Sequence, residues 1–427
     1  MEQFVIQGGK PLRGAIDVRG AKNAAFPILA ATILTDEDCI VENLPLIEDV
    51  YRMLEILEGM GAKVEWLGER TVKINTQVLD PAKVKKDIVA RFRGSVLLMG
   101  PLLARFGKVS LPRPGGDIIG ARPIDTHLDA FSQLGVKILA SNGKVVLEKP
   151  ERLTGDSIIL NEFSVTATEN VLLFAAAYPG IITIKTADQD YPVQELIKVL
   201  EFMGADIKLS ALHMIEVRGK QHLGGMAHRL MFDPIEAGTF IVMAAAAKGE
   251  VLVQNVETSF LELFLKKLKA FGVPMQIEAK AGGGGLADVK VLPWKKLKID
   301  SIQTFIYPGI HTDLQSPLGV LATQAAGSTL LHDPLYPGRL KYLEELNKMG
   351  AEIYIADPHR AIINGPCRLF GTDLGTFDLR GGAAMIIAAL IAKGKSTISN
   401  IYQVDRGYEK IEERLQKLGA DIKRITV

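Results

Sequence analysis

The sequence predicts an α/β fold made of six copies of one unit, grouped into two domains whose helices are buried and whose sheets face water. Two observations predict this fold: a short glycine phrase that recurs along the chain, and a set of helices that are apolar on nearly every side. Self-similarity at a spacing of tens of residues indicates that one supersecondary unit has been repeated.

The recurring phrase places a glycine between an amphipathic helix and a strand. The glycines are Gly61, Gly135, Gly204, Gly272, Gly350 and Gly419, at intervals of 68 to 78 residues. Before Gly204, apolar residues from Leu196 to Met203 recur three and four positions apart, which is the period of one helix face. Because glycine adopts positive φ at little cost, it ends helices well. The phrase therefore predicts six junctions between a helix and a strand.

Each unit also contains an earlier helix that is hydrophobic almost all round, which is typical of helices packed inside a protein. We predict these helices at Ala24–Leu34, Ser95–Leu103, Val165–Ala177, Gly238–Ala247, Leu314–Ala326 and Gly381–Ala392. Six units divide into two domains of three, which we place at 22–231 and at 1–21 plus 232–427. The first strand belongs to the second domain because the last unit otherwise lacks a partner. No Pro-, Gly- or Ser-rich linker marks this boundary, so it depends on the repeat count alone.

Composition limits the classes of function. The chain has 427 residues, 48% of them hydrophobic, and a formal net charge of +1, so no general attraction to nucleic acid or to an anionic membrane is expected. Cys39 and Cys367 are too few for a disulfide framework, and the N-terminus does not resemble a signal peptide. The longest apolar run, Ala383 to Ala392, is too short to span a bilayer. We expect a cytoplasmic protein, and we predict no metal, cofactor, nucleic acid or obligate protein partner.

Polar residues interrupt the apolar pattern at the starts of the buried helices and in loops. They are Lys22, Asn23, Arg93, Ser164, Thr166, Glu236, Asp313 and Arg380 at the helix starts, and Asp117, Arg122, Asp125, Asp190, Arg339 and Arg406 in loops. Helices that run the same way would direct unpaired N–H groups and positive dipole ends at one face. Two such faces that meet across a cleft would suit a doubly anionic ligand. Its phosphate and carboxylate would bind to the cations Lys22, Arg93, Arg122, Arg380 and Arg406.

For any single one of these residues, a helix cap or a surface salt bridge is an equally good interpretation. Two other patterns favour structural roles outright. The run Gly282–Gly285 lies between two alternating stretches and has no following Lys-Ser or Lys-Thr, so we predict a hairpin turn and not a phosphate loop. His127 is predicted to be a structural residue of a helix.

At these residues the chain resembles the enolpyruvyl transferases, in the branch whose acceptor is UDP-N-acetylglucosamine. The most specific matching stretches are Gly100–Gly107, Ile119–Asp125 and Thr312–Gln315, and matches extend from Gly20 to Glu409. The sister branch that uses shikimate-3-phosphate has an Asn-Ala-Gly-Thr run, which is absent here. The resemblance implies a two-domain inside-out α/β barrel, each domain built from three βαβαββ-type repeats.

The resemblance also implies a reaction. The enolpyruvyl group of phosphoenolpyruvate would pass to the 3-hydroxyl of UDP-N-acetylglucosamine with release of phosphate, the first committed step of peptidoglycan synthesis. Lys22, Arg122 and Arg406 would hold phosphoenolpyruvate. The acceptor site would be lined by Asn23, Arg93, Arg122, Pro123, Ile124, Asp125, Thr126, Glu162, Phe163, Ser164, Val165, Asp313 and Leu335. Asp313 would orient or deprotonate the acceptor hydroxyl.

Asp117 is the main departure from the family. Most members have at this position a cysteine that donates the proton and that fosfomycin alkylates, although some have aspartate. An aspartic acid must be protonated to act as the donor; crowding by substrate charge and desolvation would raise the pKa of Asp117, while Arg122 would lower it. We expect an active enzyme that resists fosfomycin.

Smaller departures are Asp190–Pro192 in place of Glu-Pro-Glu and Tyr336–Arg339 in place of Phe-Glu-Asn-Arg. They bear on recognition of the nucleotide. Three alternatives stay open at this point. The chain could be an enolpyruvyl transferase for another acceptor, a catalytically silent paralogue that binds a UDP-sugar, or an RNA 3′-phosphate cyclase, which has a related repeat fold but needs a nucleophilic histidine.

Overall fold

The computed structural model describes residues 2–115, 123–141, 143–210, 212–281 and 283–427. Contacts within the chain divide it into two compact units. We call residues 20–115 and 123–231 the inner unit. Residues 2–19 and 232–427 form the terminal unit, which is named for the first and last strands that it contains.

The α-helices of the described residues are α1 (Lys22–Ala31), α2 (Glu48–Met60), α3 (Lys86–Val89), α4 (Met99–Phe106), α5 (Asp125–Gln133), α6 (Val165–Ala176), α7 (Tyr191–Met203), α8 (Pro234–Ala246), α9 (Glu262–Ala270), α10 (Gln315–Ala322), α11 (Tyr342–Lys348), α12 (Leu379–Ile391), α13 (Tyr402–Asp405) and α14 (Ile411–Lys417). Short 3₁₀ helices cover Thr32–Leu34, Pro81–Lys83, Arg93–Leu98, Thr258–Phe260, Thr312–Leu314 and Arg339–Lys341.

The strands of the same residues are β1 (Glu2–Gln7), β2 (Arg13–Asp17), β3 (Cys39–Glu42), β4 (Lys63–Gly68), β5 (Thr71–Asn75), β6 (Lys108–Pro112), β7 (Lys137–Ser141), β8 (Lys144–Glu148), β9 (Ser157–Ile159), β10 (Ile181–Lys185), β11 (Asp206–Ser210), β12 (Met214–Arg218), β13 (Met226–Arg229), β14 (Glu250–Glu257), β15 (Met275–Ala279), β16 (Leu286–Val291), β17 (Ser301–Gln303), β18 (Gly327–His332), β19 (Glu352–Asp357), β20 (Arg360–Gly365), β21 (Asp373–Gly375), β22 (Lys395–Ser399) and β23 (Asp421–Thr426).

Each sheet corresponds to one repeat. In the inner unit the described strands form sheets of order β13-β3-β5-β4, β6-β8-β7 and β11-β12-β10-β9. In the terminal unit the orders are β15-β16-β14-β2, β17-β18-β20-β19 and β21-β22-β1-β23. The third sheet shows the unit in full, because β9, α6, β10, α7, β11 and β12 follow one another as βαβαββ, with only β9 and β10 parallel. The predicted α/β repeat architecture is confirmed.

Strands from the beginning of the chain complete two sheets of the terminal unit. Strand β1 lies between β22 and β23, where Phe4 pairs with Ile398 on one side and with Arg424 on the other. Strand β2 runs parallel to β14 and leads the fourth repeat. The sixth repeat therefore takes its missing strand from a segment about four hundred residues away in sequence.

The core of each unit is a set of apolar helices. Helices α1, α4 and α6 pack with the 3₁₀ helix Arg93–Leu98 in the inner unit, and α8, α10 and α12 pack together in the terminal unit. Every residue of α8 is buried. Their apolar faces leave no side for water, which explains the all-round hydrophobicity of the sequence.

Three predicted helix bounds need correction. The helix predicted at Gly238–Ala247 begins earlier, at Pro234, because Asp233 caps it. The one predicted at Leu314–Ala326 ends at Ala322, where the Thr323 hydroxyl turns back to the carbonyl oxygen of Val320. The segment predicted as Ser95–Leu103 is a 3₁₀ helix up to Leu98 and α-helical only from Met99.

The glycine phrase has the predicted geometry. All six phrase glycines, from Gly61 to Gly419, have φ between 85° and 116°. A Cβ at Gly61 would also lie 2.6 Å from the carbonyl oxygen of Val78, so both conformation and space require glycine there. The predicted hairpin turn at Gly282–Gly285 is confirmed for Gly283–Gly285, which have positive φ between the antiparallel β15 and β16. Among the described helices, none has the length and apolarity needed to cross a bilayer.

Candidate functional site

The start of α1 carries a buried cation. The Nζ atom of Lys22 lies 2.9 Å from Oδ2 of Asp49, and both side chains are buried. The same ammonium lies 5.9 Å from the ring centre of Phe26. A lysine in the first turn opposes the helix dipole, and no described side chain caps this helix start. N–H groups that no described side chain caps, beside an ammonium, make this helix start attractive to an anion.

Asn23 connects the start of α1 to the start of α7. Its Nδ2 donates to the Tyr191 hydroxyl at 3.1 Å. Tyr191 is buried and opens α7, where its backbone N–H donates to the carboxylate of Asp190 at 2.8 Å. Asp190, which the sequence placed among the polar loop residues, is therefore the N-cap of α7.

Arg93 lies beside a second predicted segment. Its Nη2 donates to the carbonyl oxygen of Pro123 at 2.8 Å. Ile124 is buried and Asp125 is exposed at the first position of α5. The Thr126 hydroxyl bonds Oε1 of Glu162 at 3.0 Å, which brings the 123–126 segment next to the 162–165 segment.

The 162–165 segment leads into α6. Ser164 caps this helix by accepting from the N–H of Ala167 at 3.3 Å, and Val165 is its first residue. The ring of Phe163 meets the ring of His213 edge to face, with centroids 4.8 Å apart. Phe163 is 38% exposed, so an apolar surface is available at this point.

His127 has the structural role that the sequence predicted. Its Nδ1 lies 2.9 Å from Nδ2 of Asn170 and its Nε2 lies 3.2 Å from the Thr166 hydroxyl. Burial, assisted by the nearby Arg93, lowers the pKa of His127 to about 3. The imidazole is therefore neutral at physiological pH and fixes the starts of α5 and α6 against each other.

In the terminal unit, Asp313 is held by two buried arginines. Its Oδ1 accepts from Nη2 of Arg339 at 2.9 Å, and its Oδ2 accepts from Nε of Arg380 at 2.9 Å. Burial alone would raise the pKa of Asp313, but Arg380, Arg339 and His311 outweigh it and hold that pKa well below its usual range. The carboxylate is therefore ionised, with 17% of its side chain exposed at the start of the buried helix that contains α10.

Arg380 joins the starts of three buried helices. It belongs to the first turn of α12, contacts Asp313 before α10, and interacts electrostatically with Asp233, the cap of α8. Its guanidinium lies over the Tyr408 ring at 5.3 Å, and the Tyr408 hydroxyl is 2.9 Å from that of Thr239. These contacts bring Asp313 and Arg380 together within the terminal unit.

The expectation of unpaired N–H groups at the helix starts is wrong for α6, α8 and α12, and also for the turn before α10, where Nδ1 of His311 accepts from the N–H of Asp313 at 3.0 Å. Asp233 accepts from the N–H groups of Ile235 and Glu236, so α8 is already capped. Asp378 does the same for α12, and Ser164 for α6. A side-chain oxygen that occupies these donors removes the attraction for a ligand anion. The start of α1 keeps its attraction for an anion, because no described side chain caps it.

Glu236, which the sequence placed among the polar residues at the helix starts, is a structural partner instead. Its carboxylate accepts from both Nη1 and Nη2 of Arg414, at 2.6 and 3.2 Å, and from the backbone N–H of Arg19 at 2.7 Å. Both side chains of the pair are buried. The pair ties α8 to α14, and both carboxylate oxygens of Glu236 are engaged within the protein.

Arg406 and Leu335 are positioned by short local contacts. Arg406 follows α13 directly, is 5% exposed, and donates from Nη1 to Oε1 of Gln403 at 2.9 Å. Leu335 is half-buried, and its N–H donates to the buried carboxylate of Asp333 at 3.0 Å. Asp117 and Arg122, the predicted proton donor and one predicted anion ligand, lie outside the described residues.

Three residues that contact predicted site residues were not in the predicted set: Asp49, Tyr191 and Tyr408. Arg339 had been noted as a loop cation without a role, and the structure places it on Asp313. No local sequence pattern indicates these pairings, although the position of Asp378 before an apolar run is a helix-cap signal. Among the described residues, no group of three or more His, Cys, Asp or Glu side chains could hold a metal ion.

The chain is similar to enolpyruvyl transferases over its whole length. The family model described as EPSP synthase (3-phosphoshikimate 1-carboxyvinyltransferase) matches residues 6–415. The UDP-N-acetylglucosamine 1-carboxyvinyltransferase of Treponema denticola is 37% identical over 99% of both chains, and that of Halothermothrix orenii is 40% identical over 100% of both. The crystal structure of the enolpyruvyl transferase NikO from Streptomyces tendae has 26% identity and a TM-score of 0.89, with 100% of this chain and 99% of that chain covered.

Proposed function

We propose that this chain, which belongs to the UDP-N-acetylglucosamine 1-carboxyvinyltransferases within the EPSP synthase family, transfers the enolpyruvyl group of phosphoenolpyruvate to the 3-hydroxyl of UDP-N-acetylglucosamine. Phosphate is the second product. The observation that carries the proposal is the ionised Asp313, held between Arg339 and Arg380 at a buried helix start and still partly exposed. A carboxylate of this kind can accept a hydrogen bond from an acceptor hydroxyl.

The reaction is an addition followed by an elimination. The methylene carbon of phosphoenolpyruvate gains a proton, and the 3-oxygen of the sugar gives up its own proton to solvent as it bonds to the neighbouring carbon, which gives a tetrahedral intermediate. The new methyl group then loses a proton, and the bond between carbon and the phosphate oxygen breaks. Cationic character develops on the central carbon, and cationic side chains are needed to hold the neighbouring carboxylate and phosphate so that the sugar oxygen can reach this carbon.

Lys22, Arg122 and Arg406 bind phosphoenolpyruvate in this proposal. Lys22 is supported by its uncapped position at the start of α1, where helix N–H groups and the ammonium act on the same anion. Arg406 is supported by its burial and by its local hydrogen bond to Gln403, which keeps the guanidinium in place. A guanidinium can bind a carboxylate through two parallel hydrogen bonds.

Asp313 orients the acceptor hydroxyl rather than taking its proton early. A general base works best when its pKa is near the working pH, and the two arginines lower the pKa of Asp313 far below that. Its contribution is then to hold the oxygen lone pair towards the reacting carbon, since alignment lowers the barrier strongly. Asp117 is proposed as the acid that protonates the methylene carbon.

The acceptor binds in this proposal to the segments that adjoin Arg93. Pro123, Thr126 and Glu162 are linked to one another or to Arg93 by hydrogen bonds. Phe163 adds an exposed ring to this surface. Asn23, Ile124, Asp125, Ser164, Val165, Asp313, Leu335 and Arg380 complete the proposed set of substrate-binding residues.

We further propose that residues 22–231 and residues 1–21 plus 232–427 act as the two domains of the enzyme, with the catalytic Asp117 loop in the first. The proposed place of the reaction is the cytoplasm. In that reducing compartment Cys39 and Cys367, both unpaired, would stay as thiols.

A phosphate-release assay tests the function. The protein is incubated with phosphoenolpyruvate and either UDP-N-acetylglucosamine, shikimate-3-phosphate or no acceptor. We expect phosphate only with the UDP-sugar. Phosphate release with shikimate-3-phosphate, but not with UDP-N-acetylglucosamine, would assign the chain to the sister reaction. Binding of UDP-N-acetylglucosamine in calorimetry without any phosphate release would instead identify a silent UDP-sugar-binding protein.

A further inference from the structure

The segment that carries Arg406 is too short to hold its own shape. Helix α13, Tyr402–Asp405, is a single turn, and Arg406 is the residue that ends it. An isolated turn of this length is unstable in water, because fixing the first turn costs more than its hydrogen bonds return. Besides its own hydrogen bond to Gln403, the position of the Arg406 guanidinium therefore depends on what fixes the residue before it, Asp405.

Asp405 is fixed by Arg424, which projects from β23. Nη1 of Arg424 donates to Oδ2 of Asp405 at 2.9 Å, and Nη2 donates to Oδ1 at 2.6 Å, which is the two-bond geometry that suits a carboxylate and a guanidinium. Nε of the same guanidinium donates to Oε1 of Glu412 at 2.7 Å, and Nη1 donates to Oε2 of Glu2 at 3.0 Å. One arginine thus joins three carboxylates.

Strand β23, which carries Arg424, is held firmly in its sheet. Its strand pairs with β1 along six residues, and Phe4 is the residue directly opposite Arg424. The guanidinium lies 5.0 Å from the ring centre of Phe4, which is fully buried. With a side chain only 24% exposed, Arg424 has few alternative rotamers available.

We propose that Arg424 is a positioning residue for the transfer reaction, which sets the place of Arg406 by holding Asp405 through its two-bond contact. The inference rests on the proposed function of Arg406 in binding phosphoenolpyruvate. Arg424 does not act on substrate itself. Its effect passes through one peptide unit, from the carboxylate of Asp405 to the guanidinium of Arg406.

Lysine and asparagine substitutions separate charge from geometry. Arg424→Lys keeps a cation among the three carboxylates but offers no planar pair of N–H groups. Asp405→Asn removes the charged partner and leaves the contacts of Arg424 with Glu412 and Glu2, so the strand stays anchored. Arg360→Lys is the matched control, because Arg360 also bonds an aspartate, Asp357, through two nitrogens but lies in another sheet.

Steady-state kinetics with phosphoenolpyruvate and UDP-N-acetylglucosamine give the readout. We expect Arg424→Lys and Asp405→Asn each to lower kcat/KM for phosphoenolpyruvate by about ten- to a hundredfold, the range for a small misplacement of a binding group. The Kd for UDP-N-acetylglucosamine alone and the thermal midpoint should stay close to those of Arg360→Lys. If Arg424 had only a structural role, its substitution would instead weaken kcat/KM for phosphoenolpyruvate and binding of UDP-N-acetylglucosamine alike, and it would lower the folded fraction of the protein.

A double-mutant cycle tests whether the effect passes through Arg406. In an Arg406→Lys background, adding Arg424→Lys should cause no further loss of kcat/KM. A full additional loss, or wild-type kinetics for both Arg424→Lys and Asp405→Asn, would overturn the inference. Failure of the proposed function looks different, since the wild-type protein itself would then release no phosphate.

Discussion

Nε of Arg380 and Oδ2 of Asp313 lie 2.9 Å apart, and this contact joins the first turn of α12 to the turn that leads into α10. Because Arg339 binds the other carboxylate oxygen, each oxygen of Asp313 accepts from an arginine, while 17% of the side chain stays exposed. The arrangement makes this aspartate a fixed hydrogen-bond acceptor and not a general base.

Substitution of Asp313 should show whether it acts as a hydrogen-bond acceptor or as a general base. Asp313→Asn keeps the shape but loses the charge that both arginines require, so we expect kcat to fall by about a hundredfold, the loss from misplacing a reacting group. Because the pKa of Asp313 is well below its usual range, the wild-type rate should show no loss from protonation of this group between pH 5 and 8. The measurement is a pH–rate profile of kcat/KM; an acid limb that disappears in Asp313→Asn would contradict the assignment.

The same substitution has a consequence for stability. A carboxyl with a lowered pKa in the folded protein stabilises it fully above the unfolded pKa, about 4, and loses this contribution as pH falls further. Asp313→Asn should therefore lower the free energy of unfolding at pH 7. Urea titrations at pH 7 and pH 3 measure it, and the deficit relative to wild type should be smaller at pH 3.

His127 predicts a loss of stability on acidification that begins at a higher pH than the loss from Asp313. The unfolded chain binds a proton at this residue below about pH 6.5, but the folded protein does so only near pH 3. The folded protein therefore loses stability as pH falls from 6.5 towards 3, by up to about 1.4 kcal/mol per pH unit from this group. His127→Gln should reduce that slope in urea titrations between pH 7 and 5. The exposed His222→Gln serves as the control, and an equal slope in all three proteins would refute the prediction.

Glu169 should be a source of instability at neutral pH. It is 1% exposed, its Oε1 has no hydrogen-bond partner among the described residues, and Asp188 and Asp190 are close. Burial first, and then these two neighbours, raise the pKa of Glu169 well above its usual value. A raised carboxyl pKa means that stability is lost as pH rises above about 4.5 towards the folded pKa.

Glu169→Gln removes this loss. We expect the variant to be more stable than wild type, by a margin that grows between pH 5 and pH 8 in urea titrations. The exposed Glu151→Gln is the matched control and should show no such trend. A variant less stable than wild type at pH 8 would show that an ionised Glu169 is needed in the fold.

Asp117 determines the response to fosfomycin in our account. Wild-type activity should persist after incubation with fosfomycin, while Asp117→Cys should keep measurable activity and become sensitive. The assay is best run with Cys367→Ser in both proteins. The other thiol, Cys39, is shielded, because burial raises its pKa to about 11. Inhibition of the Asp117 protein with a covalent adduct in its mass spectrum would contradict the prediction.

Much of the fold could be predicted because its signals are local. A helix stop depends on the conformation of one residue, so the six phrase glycines could be recognised by the residues beside them. The all-round hydrophobicity of α8 and α12 likewise identifies buried helices without knowledge of their neighbours. Prediction failed at the bounds, where capping decides: the Asp233 cap moved the start of α8 by four residues.

The side-chain partners of the site could not be predicted in the same way. Glu236 could be recognised only as a polar residue at a helix start, because its partner, Arg414, lies 178 residues further along the chain. Arg339 and Asp313 are 26 residues apart and meet only through the packing of their repeat. A polar residue at a helix start is thus a candidate for both a cap and a ligand contact, and only tertiary structure decides between them.

Structure determination of the product by NMR tests the central claim most directly. After incubation with phosphoenolpyruvate and UDP-N-acetylglucosamine, we predict a nucleotide sugar with two vinyl protons and an ether at the 3-oxygen of the sugar ring. A vinyl ether at another oxygen, or unchanged UDP-N-acetylglucosamine after prolonged incubation with the folded protein, would contradict it.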